Sequence, residues 1–549
     1  MHNRMAAGWF YSPSQIKKYF LTRITSLKPP RTKLGNPYHI LKELDKHQWL
    51  MFTAGFLGWT WDAFDFFTVS LTITEIAKDF GVENSDVSWV RAPILSYHEH
   101  RQANMCQGLT VTLMLRSVGA LVFGTLSDRY GRKWPMIINL ALFIVLELTS
   151  GFCNTLPQFL GVRSLYGIAM GGLFGPAAAT ALEDLPYDAR GLLSGLFQQG
   201  YATGYLLASI FYRALVPTTS HGWRSLFWFG AGPPVLIIAF RWCLPETNNF
   251  QVMRAEREAQ LLAEKEQGGE HHVKAAGFKA WTRESWVAIK QNWVLFVYLV
   301  ILMTGFNSCS HGSQDLLPTF LKNQVLMGPT DVTVVSVVGQ IGALIGGTTL
   351  GYISTFLGRR LTMLIACVCG GALVPAYILP RNMGLVGSAF ALQFFVGGVW
   401  GAIPIHLMEV SPEALRTTAV GLTYQLGNLA SSASATIQAV IGERYPLPPH
   451  NGVERFDYGK VIGIFMGAVW AYQIIFLLLG PEMSEKERAA YAKEAHELER
   501  LRKDGVSLND IAVERVRSRQ MASPRAEGRE VVERSPAEKM DPGEHLESA

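Results

Sequence analysis

Twelve runs of roughly 20 mostly apolar residues, each of membrane-crossing length, divide this sequence and limit what it can fold into. They cover approximately residues 49–71, 108–126, 134–153, 157–181, 191–213, 223–244, 293–320, 331–350, 361–380, 384–406, 417–441 and 459–480. In lipid only a helix or a closed barrel satisfies its own backbone hydrogen bonds, and runs of this length read as helices. The expected fold class is therefore an all-α membrane protein with twelve transmembrane helices. Composition agrees, since 49% of the 549 residues are hydrophobic and 17% charged, against about 25% charged in ordinary soluble domains. A soluble enzyme is disfavoured. The first 47 residues lack an apolar core long enough for a cleavable signal peptide, so this segment is expected to be retained.

The flanking charges orient the chain. Residues 1–47 carry nine Lys and Arg against two acids, Glu43 and Asp45, and such an excess belongs on the cytoplasmic side. Twelve spans return the C-terminus to that side. The loops then assigned to the cytoplasm hold Arg129, Arg132, Lys133, Arg190, Arg359, Arg360 and Arg416, with seven more Lys and Arg within 246–291. These flanks explain the formal net charge of +5 without a nucleic-acid partner. The six cysteines fall mostly inside spans, which argues against a disulfide framework.

The two halves of the sequence repeat. Glu183, Pro186 and Arg190 follow the fourth span, and Glu409, Pro412 and Arg416 follow the tenth, each 226 residues later. The loop GTLSDRYGRK (124–133) after span 2 corresponds to GYISTFLGRR (351–360) after span 8, at an offset of 227. A duplicated six-helix unit follows. It gives a cytoplasmic segment 1–47, a first half 48–245, a linker 246–291, a second half 292–482 and a cytoplasmic tail 483–549. The tail alternates acids and bases and reads as a solvated helix followed by disorder.

The first of these loops resembles the signature of the major facilitator superfamily, GxLaDrxGrk, at Gly124, Leu126, Asp128, Arg129, Gly131, Arg132 and Lys133. The second copy keeps Gly351, Gly358, Arg359 and Arg360 but has Thr355 in place of the acid, so it cannot make the same charge contact. Arg163 and Gly167 resemble the superfamily's RxxxG element. The resemblance, over residues 48–482, implies the major facilitator fold: two six-helix halves rocking about a central site. Gly124, Asp128, Arg129, Gly131, Arg132, Arg163, Gly358 and Arg359 are then expected as a conformational latch. The glycines are expected to let spans 2 and 3 approach, and Asp128 to dock on a helix N-terminus or on an Arg across the halves. Glu183 and Glu409, each with an Arg seven residues on (Arg190, Arg416), read as latch salt bridges rather than substrate ligands.

Residues 90–107, VRAPILSYHEHRQANMCQ, fit neither neighbouring span. Written back to nucleotides, Val90 allows a GT start, Ala103–Asn104 a GCTAAC branch point, and Gln107 a CAG end, the signals of a short fungal intron. The stretch has no periodic apolar pattern, and we read it as a retained intron, with a genuine extracytoplasmic loop as the alternative. The transcript across codons 89–108 distinguishes them.

Ionisable and amide groups at mid-span are costly in lipid and usually face a cavity or one another. The candidates are Asp62 and Asp65 in span 1, Arg116 in span 2, Glu147 in span 3, Gln198 and Gln199 in span 5, a cluster in span 7, and Gln425 and Asn428 in span 11. In the span 7 stretch NSCSHGSQDLLPT, Asn307, His311 and Gln314 recur at intervals of four and three and share a helix face, with Asp315 beside them. The pattern NxxSHxSQDxxxT, complete from Asn307 through Ser310, His311, Ser313, Gln314 and Asp315 to Thr319, is that of the fungal Jen-type carboxylate permeases. That resemblance implies transport of lactate, pyruvate or dicarboxylates with protons across the plasma membrane, and a substrate path that also includes SGLFQQGYATGYL (194–206), YQLGN (424–428) and Arg116.

Physical chemistry supports these roles separately. A carboxylate needs a cationic, preferably fork-shaped donor, which Arg116 can supply, with amides and hydroxyls completing its hydrogen bonds. An internal ion pair of Arg116 with Asp62, Asp65 or Glu147 is the alternative. Importing an anion against an inside-negative potential costs about 2.3 kcal/mol per charge per 100 mV, so accumulation requires a co-transported proton. His311 and Asp315 are the leading proton carriers; His311 has the alternative of orienting substrate as a neutral hydrogen-bonding ring, and Asp315 of being structural. Asp62, Asp65 and Glu147 are further candidates, Glu147 equally as an interhelical tie. The expected partners are a small carboxylate, protons and the lipid bilayer, with no cofactor, metal or nucleic acid. The competing functions are a permease for another organic anion or sugar acid, and a non-transporting nutrient sensor. An enzyme is the weakest option, since no nucleophile, metal or nucleotide constellation appears outside the spans.

Overall fold

The computed structural model describes residues 13–23, 27, 35–81, 102–267, 273–314, 316–450 and 453–483, and scattered positions between 493 and 513. Its helices are α1 (Pro13–Leu21), α2 (Pro37–Lys42), α3 (Lys46–Phe80), α4 (Gln102–Tyr130), α5 (Lys133–Gly151), α6 (Leu156–Leu182), α7 (Tyr187–Leu215), α8 (Arg224–Gly230), α9 (Gly232–Cys243), α10 (Asn248–Gln267), α11 (Val273–Gln314), α12 (Leu317–Asn323), α13 (Pro329–Leu357), α14 (Arg359–Ile378), α15 (Leu385–Val410), α16 (Arg416–Ser431), α17 (Ser434–Glu443) and α18 (Tyr458–Leu479). The twelve expected spans fall on α3–α7, the α8–α9 pair, α11–α12, α13–α15, the α16–α17 pair and α18. Among the described residues eight of these are long and apolar enough to cross a membrane by length and composition alone. The other four expected spans lie on α3, α4, α7 and α16–α17. Those four carry Asp62, Asp65, Arg116, Gln198, Gln199, Gln425 and Asn428.

Two compact units divide the chain: 1–247 with 279–492, and 248–278 with 493–549. In the second unit α10 carries an exposed i,i+4 ion pair, Arg254–Glu258 at 2.9 Å, worth about 0.3–0.5 kcal/mol. In the first unit α3 packs on α6 and α7, and α6 on α4 and α5; α15 packs on α13 and α14, and α14 on α18. The halves meet mainly through α4 with α16 and α7 with α13, and further through α7 with α15 and α6 with α16. Phe64, Phe143, Phe174, Phe197, Tyr377 and Trp470 are buried between helices. Leu121, Val145, Leu206, Leu236, Val337, Val368 and Ile475 point outward. Outward apolar side chains suit a bundle whose surroundings are hydrocarbon.

Breaks in the helices follow local chemistry. Gly131 (φ +101°) and Gly358 (φ +94°) turn the chain between α4 and α5 and between α13 and α14, at conformations L side chains rarely adopt. They are 227 positions apart and so belong to the repeat. Asn292 leaves helical geometry inside α11, its amide donating to the Ala288 carbonyl at 2.8 Å. Pro318, in the first turn of α12, starts a new helix where span 7 was expected to run on to residue 320. The one departure from an all-helical membrane protein among the described residues is a hairpin, Pro446–His450 antiparallel to Val453–Phe456. Three prolines at 446, 448 and 449 cannot continue a helix.

Residues 90–101 of the stretch read as an intron lie outside the described residues, whereas 102–107 open α4. Counted from Gly108 to Tyr130, α4 keeps about 23 residues and about 34 Å, still enough to cross the bilayer.

Candidate functional site

One end of the bundle carries the repeated loops. Asp128, fully buried at the end of α4, reaches the first turn of α16 in the other half. It accepts from Thr417 N (2.9 Å), Thr418 N (2.8 Å) and the Thr418 hydroxyl (2.7 Å). The backbone donors are orphan N–H groups of a helix start, where the macrodipole favours an anion. Arg132 lies 3.9 Å from Asp128 and grips Glu183 with two bonds, 2.9 and 3.0 Å. Glu183 also meets Arg416 from the other half at 3.4 Å. Arg129 stacks on Tyr130 at 4.8 Å.

In the second copy Thr355 occupies the place of Asp128 and accepts from Arg359 Nη1 at 3.0 Å. Arg359 pairs with Glu409 at 3.1 Å. Arg190 donates to the Leu185 and Glu183 carbonyls at 2.9 and 3.3 Å. Glu183 thus pairs with Arg132 of the adjoining loop and with Arg416 across the halves, and Glu409 with Arg359 of its adjoining loop while feeling the charge of Arg190 across the halves, rather than as two independent pairs seven residues apart. Pro186 and Pro412 stand between each Glu and its expected Arg and turn the chain away.

Here α7 and α13 meet through glycine. A Cβ on Gly191 would lie 2.2 Å from Thr355 Oγ1 and 2.4 Å from the Gly351 carbonyl; one on Gly195 would lie 2.6 Å from the Gly347 carbonyl. Gln199 donates to the Leu344 carbonyl at 3.0 Å and so is committed to this seam. Gly124 corrects a further expectation: its Cβ position lies 2.7 Å from Thr418 Cα, so it admits α16 of the other half and not span 3.

At mid-bundle Arg116 is buried. Its Nη2 contacts Met170 Sδ at 3.0 Å and its guanidinium stands 5.2 Å from the Phe66 ring. Among the described residues no carboxylate lies within 4.0 Å of it. The ion pair that competed with substrate binding goes elsewhere: Glu147 pairs with Arg163 at 3.0 Å, and Asp65 accepts from the Tyr166 hydroxyl. Asp62 feels the Arg116 charge, and its Oδ1 is buried with no hydrogen-bond partner. Gln198 Oε1, Gln425 Oε1 and Trp59 Nε1 are in the same condition. Buried polar atoms without partners cost about 1–3 kcal/mol each, and Asp62 in the field of Arg116, with Trp59 packed on Tyr424, which senses the same charge, marks a place for a polar guest.

Aromatic rings from both halves gather beside these groups. Trp59 packs on Phe174 (4.9 Å), Tyr201 (5.9 Å) and Tyr424 (6.1 Å); Tyr424 stacks on Phe174 (4.2 Å) and meets Trp400 (5.9 Å). The Tyr424 hydroxyl senses the charges of Arg116 and Asp62. Trp400 donates to Ser310 Oγ of the span 7 cluster at 2.9 Å, and Gln314 donates to Gln393 at 3.1 Å. Asn307 donates to its own helix at Met303 O (2.9 Å), and the Ser313 hydroxyl donates to Ser310 O (3.2 Å). His311 is half-buried on the same helix, and Asn428 half-buried on α16, while Asp315 lies outside the described residues. Trp59, Phe174 and Trp400 had no signal in the sequence, because an aromatic residue in an apolar span looks the same in a packed core and on a cavity wall.

A second polar group sits inside the first half. A Cβ on Gly230 would lie 3.2 Å from Asp65 Oδ1 and 3.3 Å from Glu147 Oε1, so both carboxylates face one small space. Arg163 is the cation paired there, enclosed by Tyr166 (4.7 Å) and Phe227 (4.6 Å). Two acids share one guanidinium.

Known proteins resemble this chain closely. The model of a family described as sugar (and other) transporter matches residues 50–491. A carboxylic acid transporter protein homolog of Saccharomyces cerevisiae is 39% identical over 509 residues, 91% of this chain and 80% of its own length. A cis,cis-muconate transport protein of Acinetobacter baylyi is 25% identical over 398 residues, 72% of this chain and 88% of its own length. Among solved structures, the proton:xylose symporter XylE bound to 6-bromo-6-deoxy-D-glucose superimposes with a TM-score of 0.60, covering 81% of this chain and 99% of that one at 16% identity. At that identity the likeness is one of fold.

Proposed function

Because the chain belongs to the sugar (and other) transporter family, within the major facilitator superfamily and not among enzymes, we propose that it imports small carboxylates with protons across the plasma membrane. The two six-helix halves rock about the Arg116 site, and the end bearing Asp128 and Thr355 faces the cytoplasm, as the basic loops there require. The observation that carries this reading is the Arg116 guanidinium, buried and without a carboxylate partner within 4.0 Å. A substrate carboxylate supplies that partner and accepts from Trp59 Nε1, and a substrate hydroxyl, where present, donates to the orphan Oε1 of Gln198 or Gln425. Asn307, Ser310, Gln314 and Asn428 line the second half of the path. The names of the relatives favour organic acids over sugars.

Proton coupling belongs to His311 and Asp315 on the span 7 face, with the Asp65–Glu147 pair as a second store. One guanidinium for two buried acids leaves one acid short of a counter-charge, the electrostatic condition for holding a proton. His311→Ala is expected to abolish accumulation while the protein still reaches the surface; normal concentrative uptake by that variant removes His311 from the coupling.

The function is tested by uptake of labelled lactate and labelled succinate at acidic pH, with and without a protonophore. The host is a fungal cell lacking its own permeases and expressing the form without residues 90–107. Concentrative, protonophore-sensitive uptake supports symport, and the better competitor fixes the substrate class. No uptake of either acid by a surface-localised protein counts against the proposal.

A further inference from the structure

We propose that one face of α3 carries protons from the outer mouth of the first half to the buried Asp65–Glu147 pair, and that Glu75 is the group that admits them. This rests on the proton-store reading above. Asp65, Thr68, Thr72, Glu75 and Asp79 recur at intervals of three, four, three and four, so they form one stripe along α3. Asp79, at the outer end, is exposed, whereas Asp65, Thr68 and Thr72 are fully buried. Polar side chains in file along a membrane helix are costly, and they mark the paths of ions and protons.

Each station has an oxygen to spare. Asp65 accepts from the Tyr166 hydroxyl through Oδ2, and its buried Oδ1 has no hydrogen-bond partner. Glu75 is arranged alike: Oε1 accepts from the Tyr212 hydroxyl at 2.6 Å, and Oε2 is buried and unpartnered. Between them the Thr72 hydroxyl donates to the Thr68 carbonyl (2.7 Å) and the Thr68 hydroxyl to the Phe64 carbonyl (3.0 Å). With its proton spent on the helix, each hydroxyl oxygen keeps lone pairs for an incoming donor. Glu75 and Asp65 stand about 15 Å apart along the axis, too far for direct transfer. The threonines divide that length into steps of about 4.5, 6 and 4.5 Å, close to the roughly 5.5 Å that two hydrogen bonds through one water span. A hydronium at the mouth gives its proton to the Glu75 carboxylate. The proton then passes over water held by Thr72 and Thr68 to the Asp65 carboxylate, and Glu75 is left ionised for the next.

The surroundings confine the file. On its flank Val69, Ile76 and Phe80 pack with Phe159, Trp223 and Phe227 in an apolar cluster. Arg224 braces the mouth, donating to Asp79 at 2.6 Å and to the Cys153 carbonyl at 2.9 Å. The charged and titratable groups that face the stripe from other elements are Tyr212 of α7, Tyr166 and Arg163 of α6, Glu147 of α5, Cys153 just after α5, and Arg224 of α8. On α3 itself Lys78 is exposed. From α9, Arg241 lies at the latch end of the bundle, paired with Glu246 at 3.5 Å. Among the described residues Glu75 thus has a phenol for a partner and no ion pair, which leaves it able to take up and release a proton.

The test uses the full-length protein in proteoliposomes with labelled lactate as probe. Net uptake driven by a pH gradient is measured across external pH. Exchange of internal for external lactate, which needs no net proton movement, is measured at acidic pH as the control for folding and substrate binding. Glu75→Gln and Thr72→Val are expected to slow net uptake at limiting protons about tenfold and to move the pH profile about one unit to the acid side, with exchange retained, while Thr72→Ser keeps the parent profile. Parent profiles in Glu75→Gln and Thr72→Val, with an altered profile in Asp65→Asn, overturn the route and leave the store. A parent profile in Asp65→Asn as well overturns the store and the route with it. Loss of exchange together with net uptake in all three route variants, Thr72→Ser included, assigns the stripe to packing and overturns the route. Parent protein that neither accumulates nor exchanges lactate overturns the substrate reading on which the route rests.

Discussion

Asp128 and Thr355 occupy the same place in the repeat, and the seams they serve differ by one docked carboxylate. Between α4 and α16 a buried carboxylate docks on a helix start through three hydrogen bonds of 2.7–2.9 Å. Between α7 and α13 no acid is present at that place, and glycines bring the backbones together, with Gly191, Gly195, Gly347 and Gly351 lining the contact. Arg416 crosses to Glu183, and its counterpart Arg190, which also donates to carbonyls of its own half, lends its charge to Glu409 across the halves. Glycines close both seams, since Gly124 and Gly175 meet Thr418 and Thr417 as Gly191 and Gly195 meet α13, but the docked carboxylate is present in one alone of the two. An electrostatic seam can be broken and remade by exchanging partners with water, while a packed one holds by shape and is sensitive to any added atom.

The largest effect is expected from Asp128→Ala. It leaves Arg132 short of an anion and strips two backbone N–H groups of their acceptor, a loss of about 3–5 kcal/mol for a buried partner. Uptake should fall by at least about tenfold and the melting temperature should drop; near-normal values of both would mean the charged seam does not hold the halves. Next comes Gly191→Val, which forces side-chain atoms into the Gly351 carbonyl at a cost of about 1–3 kcal/mol. Its uptake should be several-fold lower at equal surface expression, and wild-type uptake would show that the glycine seam tolerates widening. Arg416→Ala removes one partly exposed, 3.4 Å contact to Glu183, whose carboxylate keeps Arg132, so a change of about 1 kcal/mol or less is expected in stability. An effect as large as that of Asp128→Ala would move the weight of the charged seam onto Glu183.

Much of the architecture was legible from residue order. Hydropathy runs mark spans because lipid leaves the backbone no other partner, and the 226- and 227-residue offsets reveal the duplication. Spacing also placed Asn307, His311 and Gln314 on one face of a helix. What could not be read was pairing in space. Glu183 and Arg190 are close in sequence, yet Glu183 finds Arg132 and Arg416, because Pro186 redirects the chain and the two halves meet there. Gly124 looked like a contact for the neighbouring span and instead admits α16. Gln199 adjoins Gln198 but is spent on the Leu344 carbonyl across the seam, leaving Gln198 with the orphan acceptor. Trp59, Phe174 and Trp400 of the aromatic wall are invisible in an apolar sequence, where Tyr424 alone fell in an expected stretch, and the neighbouring Arg116 sets the wall apart from core packing.

Arg116 bears the central claim, and direct binding of labelled lactate to purified protein tests it without dependence on proton coupling or trafficking. Arg116→Gln keeps the side chain's polarity and approximate length while removing the charge. The expected result is loss of specific binding, about 100-fold or more for a desolvated charge-assisted pair, in a protein that melts normally. Unchanged lactate affinity in folded Arg116→Gln protein would contradict a carboxylate site at Arg116.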